Sequence, residues 1–250
     1  MRVLSAAELL EAWERSAAQS PARRPLVLLA AAGVAAPPEA AADWPIGRRD
    51  AELLRLRERA FGSRLAATAV CPECGERLEV AFDAGDIRAG EESSEDAAAP
   101  AGELALAVAG CELRFRLPTS RDLAVAAAHG GDLEAVRRSL VGSCLLTAHR
   151  GGQQVTASDL PAEAVAAIEE RMEAADPQAH VLLDLSCPAC ARRWQAPFDV
   201  DTFFWAELEA WARRTLAEVH SLAAAYGWSE AEVLALSAAR RRLYLEMVSS

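Results

Sequence analysis

Cys71-Pro72-Glu73-Cys74 and Cys187-Pro188-Ala189-Cys190 decide how this chain is read. Each pair places two thiols two residues apart with a proline between them, so a tight turn can aim both sulfurs at one point. Two such turns supply the four thiolates of a closed tetrahedral metal site, the geometry of structural zinc. The flanks match as well. Phe82 follows Cys71 at the same offset as Phe198 follows Cys187, and both lie in Phe-Asp pairs, Phe82-Asp83 and Phe198-Asp199. The pattern predicts an internal repeat of two strand–knuckle–strand hairpins joined by one metal. The 112 residues between the knuckles (75–186) must then leave the site and return to it.

A lone CxxC is ambiguous, and the neighbouring residues narrow it. Haem attachment needs a histidine after the second cysteine, where Gly75 and Ala191 stand here. A thioredoxin-type site needs one CxxC opening a helix, whereas both pairs here have strand-like flanks. Metal is therefore expected at Cys71, Cys74, Cys187 and Cys190. Zinc is favoured, and iron fits the same donor set. Neither knuckle contains a histidine, and four thiolates fill a tetrahedral site, so the role expected is structural. A dithiol redox protein is the competing reading.

A formal net charge of −11, with 37 acidic against 26 basic residues, disfavours nucleic acid as the main partner. The start, Met1-Arg2-Val3-Leu4-Ser5, has no long apolar core of a signal sequence. The apolar run from Leu26 to Ala36 is too short to span a membrane. A cytoplasmic, reducing compartment is expected. No HExxH, nucleophile motif or phosphate-binding glycine loop is present, so a non-enzymatic protein is expected. His129, His149, His180 and His220 are read as structural or surface residues, the first two near helix ends.

The expected fold class is α+β. It is a zinc-ribbon-like pair of CPxC hairpins, with a small β-hairpin plus helical insertion between them and a helical C-terminal segment. The expected divisions are an N-terminal helical arm (1–62), the first knuckle hairpin (63–90), an acidic flexible loop (91–102), the insertion (103–178), the second knuckle hairpin (179–200) and C-terminal helices (201–250).

Within the arm, Ser5 and Glu8 stand in capping-box positions for a helix to about Ala18. Leu26–Leu29 reads equally as a short strand or a helical turn. A second helix is expected over about 47–60. Its arginines Arg48, Arg49, Arg55 and Arg57 form either a solvated face or a docking surface for an acidic partner. The insertion is expected to open with strands 104–108 and 112–117. Helices at about 120–129, 132–148 and 161–174 then follow, the first capped by Thr119. Cys111 and Cys144 are expected to be small buried residues.

The final segment predicts a long amphipathic helix over about 200–225, then two short helices, the first capped by Ser229 with Glu232 in reciprocal position. Trp211, Tyr226, Trp228, Arg240, Arg241, Arg242 and Tyr244 are the expected partner-facing residues. Two short helices with an arginine cluster also suggest a DNA-reading helix–turn–helix, against which the acidity of the chain weighs.

Three stretches carry a resemblance. His220-Ser221-Leu222-Ala223, then Tyr226-Gly227-Trp228-Ser229-Glu230-Ala231-Glu232-Val233-Leu234-Ala235-Leu236, followed by Arg240-Arg241-Arg242-Leu243-Tyr244-Leu245, resembles the end of a family of baseplate proteins. That family occurs in phage tails and contractile injection systems and is named for a baseplate hub protein of the T-even phages. Trp44-Pro45-Ile46-Gly47-Arg48-Arg49-Asp50 and Arg116-Leu117-Pro118-Thr119-Ser120-Arg121-Asp122-Leu123 resemble other parts of bacterial members in tail gene clusters. The paired CPxC knuckles are associated with those bacterial members and not with the phage prototype. The resemblance implies a non-enzymatic part or assembly factor of a tail baseplate, partnered by other baseplate and tail proteins and incorporated into the particle. A zinc-ribbon regulatory or nucleic-acid-binding protein is the alternative.

Overall fold

A computed structural model describes residues 2–88 and 102–248. The acidic stretch expected to be a loop lies outside the described residues apart from Gly102. The described chain is α+β, and its helices and strands are grouped around three separate clusters of buried side chains.

The first cluster is built by α1 (Ala6–Ala17), α2 (Arg24–Ala31), α3 (Ile46–Phe61) and the start of α7 (Val200–Tyr226). Ser5 and Glu8 form the capping box of α1, as their spacing predicts. Leu26–Leu29 is helical and buried, with Pro25 in the first turn, where a missing N–H costs nothing. On α3 the arginine face is neither uniformly solvated nor free: Arg49, Asp50 and Arg57 are buried. Arg57 donates to both Glu207 carboxylate oxygens at 2.7 and 2.8 Å, and to the carbonyls of Gly62 and Arg64 at 2.7 Å. Four of the five N–H donors of that guanidinium are used, which is what lets a charge sit inside a protein.

The knuckle hairpins are β1 (Arg64–Val70) with β2 (Arg77–Asp83), and β7 (Val181–Ser186) with β8 (Arg193–Phe198). Each forms its own two-stranded antiparallel sheet. Phe82 and Phe198, at matching offsets in sequence, meet edge to face with centroids 5.2 Å apart.

The second cluster fills the insertion. A four-stranded antiparallel sheet of β3 (Glu103–Val108), β4 (Cys111–Arg116), β5 (Leu145–Arg150) and β6 (Gln153–Gln154) packs against α5 (Leu133–Cys144) and α6 (Ala162–Ala175). The helix expected to run to 148 stops at Cys144, and Leu145–Arg150 is a strand that carries His149 away from any helix end. The reason is tertiary: β4 has a second edge to pair, and Cys111, Leu113 and Arg114 find Arg150, Ala148 and Thr147 there. Thr119 caps α4 (Ser120–Ala126) reciprocally with Asp122. Cys111 and Cys144 are buried, as expected.

The third cluster closes the C-terminal end of α7 with α8 (Glu230–Ala235) and α9 (Ala238–Val248) around Val219, Leu222 and Val233. Gly227, left-handed at φ 69°, ends α7, and Ser229 with Glu232 caps α8.

Candidate metal centre

Each knuckle is a turn closed by its own backbone. The Cys71 amide donates to the Glu76 carbonyl at 2.8 Å and Gly75 N–H to the Cys71 carbonyl at 3.0 Å. In the second knuckle Cys187 donates to Arg192 at 2.8 Å and Ala191 to Cys187 at 2.9 Å. Gly75 and Ala191 occupy the same left-handed position, at φ 75° and 60°, and only the first is a glycine. The backbone thus repeats where the sequence does not.

The two turns bring all four sulfurs together. Cys71 Sγ stands 3.7 Å from Cys190 Sγ, Cys74 Sγ stands 3.6 Å from Cys187 Sγ, and all four lie within 4.8 Å of one another. Sulfurs about 2.3 Å from a central zinc at tetrahedral angles would be about 3.8 Å apart. Disulfides are excluded by the same distances, since bonded sulfurs lie about 2 Å apart. All six cysteines are free thiols. The residues fit a metal with four soft ligands.

Electrostatics reinforce the geometry. An N–H from Cys74 holds the Cys71 thiol down to about 7, with help from the Glu73 amide and the Cys190 thiol against partial desolvation. Cys74 is pushed up to about 12: the Glu76 amide lowers it, but desolvation and the neighbouring sulfurs of Cys187, Cys190 and Cys71 outweigh that. The Arg192 amide lowers Cys190, but partial desolvation and the Cys71 and Cys187 sulfurs outweigh it and raise the thiol. One sulfur ionises readily and its charge then opposes the rest. A divalent cation removes that opposition and makes four thiolates compatible.

The expected partner-facing residues are placed in two kinds of environment. Tyr226, Trp228 and Tyr244 form one aromatic group, with Tyr226 stacked on Trp228 at 4.7 Å and Tyr244 edge-on to Trp228 at 5.0 Å. Arg240 and Arg242 are exposed beside it. Trp211 instead packs on Phe61 in the first cluster, with centroids 6.3 Å apart. Arg241 is buried, donating to Glu218 at 2.9 Å and to the Leu236 carbonyl at 2.9 Å. The arginine triplet therefore does not act as one basic patch.

Sequence reasoning missed the joint between two of the motif stretches. Pro45 forms a β-bridge with Thr119, Ile46 N–H donates to the Pro118 carbonyl at 3.1 Å, and Arg49 reaches Ser120 Oγ at 3.1 Å. Gly47 closes the same joint by donating to Asp176 at 2.9 Å, so tightly that a Cβ there would stand 1.8 Å from the carboxylate. The glycine was visible in the sequence; its partner, 129 residues away, was not.

Comparison with known proteins gives one family. A model described as T4 bacteriophage base plate protein matches residues 34–205, a span that contains both knuckles and the joint. No curated protein and no solved structure matches. Among the described residues no helix is long and apolar enough to cross a membrane.

Proposed function

The chain belongs to the T4 bacteriophage base plate protein family, and from that premise we propose that it is a non-enzymatic structural component or assembly factor of the baseplate of a contractile, phage-tail-like particle. The observation that carries this reading is the family match over residues 34–205. In this reading a zinc ion held by Cys71, Cys74, Cys187 and Cys190 joins the two knuckle hairpins into one rigid unit. The metal supplies a cross-link and no chemistry. The aromatic group of Tyr226, Trp228 and Tyr244, with exposed Arg240 and Arg242, offers a surface to neighbouring tail proteins, while Trp211 and Arg241 hold the helices that present it.

Sedimentation of large particles from a lysate of the native host, followed by mass spectrometry, tests the reading. The chain should travel with sheath and tube proteins in a fixed low ratio, or cross-link to tail proteins in smaller assembly intermediates. Absence from both would overturn the proposal. The nucleic-acid alternative requires salt-sensitive binding through the arginine triplet, and it has lost Arg241 to the interior.

A further inference from the structure

The two knuckle hairpins pair with nothing else among the described residues, so one edge of β2 and one edge of β7 carry unpaired backbone groups. Both edges open on one groove of about 560 Å³, with residues 80–82 on one wall and 181–185 on the other. Five consecutive residues of β7 line it, which happens when a strand shows its edge and not one face.

The register of the second hairpin fixes which groups point there. Leu182 pairs with Pro197, and proline has no N–H to give. That pair therefore takes the non-hydrogen-bonded place in the ladder, and Val181, Leu183 and Leu185 exchange bonds with β8. Leu182 and Asp184 direct their N–H and C=O groups away from β8, into the groove. The same proline guards the outer edge of β8, because its ring stands where another strand would need a donor. β7 has no such guard, and Leu182 is 37% exposed.

Charge selects the occupant. Arg88 at the groove is held by Glu58 at 2.5 Å and His180 by Glu173 at 2.9 Å. Among the described residues Asp86 accepts only from the Asp83 amide, and Asp184 only from Gln195 Nε2. Among the described residues neither acid meets a cation. The chain's own 89–101 stretch carries Glu91, Glu92, Glu95 and Asp96, the same sign as these two acids. We propose that the β7 edge accepts an extended segment of a neighbouring protein as an added strand, and that this segment alternates apolar with basic side chains. The apolar side chains face Val80, Phe82 and Leu183, and the basic ones meet Asp86 and Asp184. This rests on the baseplate reading only for the identity of the neighbour.

The test uses the isolated, metal-loaded full chain and a synthetic nine-residue probe peptide of alternating valine and lysine, so it is independent of where the chain resides in the cell. Amide exchange at Leu182 and Asp184 should slow on adding the peptide, while Leu183 and Leu185 are protected throughout. Asp184→Pro removes the outward N–H, together with the carboxylate and its bond from Gln195 on β8, and should weaken binding about tenfold or more. Asp184→Asn keeps the N–H and should weaken it about threefold at low salt only. Unchanged zinc content and unchanged protection at Leu183 show that each variant is folded. The inference is overturned if millimolar peptide leaves Leu182 and Asp184 unprotected. It is equally overturned if Asp184→Pro binds as the parent does, or if a peptide with glutamate in place of lysine binds as well.

Discussion

Apart from the two-residue β6, the hairpin pair and the insertion sheet are made of strands of similar length, and they bury apolar side chains to different extents. In the insertion, β4 buries Cys111, Leu113 and Phe115 on one face, β5 adds Ala148, and α6 covers them with Ala164 and Ile168. In the hairpins the apolar positions are only half covered, and Leu65 is the one strand side chain fully removed from solvent. A two-stranded hairpin with one half-wet face is marginal on its own. The insertion needs no cross-link, because area burial supplies its stability. Where four strands cannot bury enough, the sequence places four cysteines.

The largest expected effect breaks the comparison on the hairpin side. Cys187→Ser, or strong chelation, should lower the stability of the hairpin pair by about 5 kcal/mol, because metal binding and folding are coupled. Exchange protection at Leu113 and Phe115 in the insertion should persist. If the two regions melt together, they are one cooperative unit and the contrast fails. Ile168→Ala is the reciprocal change. It should cost about 3 kcal/mol, from lost burial and a cavity, with zinc content unaltered; calorimetry and metal analysis on one sample read both.

Asp201 sharpens the picture where α7 leaves the second hairpin. Burial raises its carboxyl to about 6, with Asp199 and Asp50 adding to the rise while Arg49 and Arg24 oppose it. The folded value lies above the roughly 3.9 of an unfolded aspartate, so the native state holds the proton more tightly. Stability should therefore fall as pH rises from about 4 to about 6 and level off above. Asp201→Asn should be about 1 kcal/mol more stable than the parent near pH 7.5 and no different near pH 4, as denaturant titrations at the two pH values would show. The smallest change is at the second knuckle. Ala191→Gly relieves a left-handed alanine that the first knuckle avoids with Gly75. It should stabilise by about 0.5 kcal/mol, the strain relieved less the entropy added, seen as a small rise in the chelator-sensitive transition.

What the sequence made legible was local. The two CPxC turns, the capping positions at Ser5, Thr119 and Ser229, and the breaks at Gly227 and Ala109-Gly110 depend on residues within a few positions of each other. The strand at Leu145–Arg150 was not legible, because its partner lies in β4 and a leucine-rich start reads as helix. Arg57 was not legible either: alternating charges imply solvent until Glu207, 150 residues away, is seen to meet it. The groove beside β7 depends on how two hairpins sit about one point. The sequence foretells the point and not the groove.

The most direct measurement of the central claim is zinc-edge X-ray absorption on the purified chain, with metal stoichiometry from the same sample. One zinc per chain is expected, with four sulfur neighbours at about 2.3 Å and no nitrogen or oxygen in the shell. A substoichiometric metal, or a shell containing nitrogen or oxygen, would contradict it.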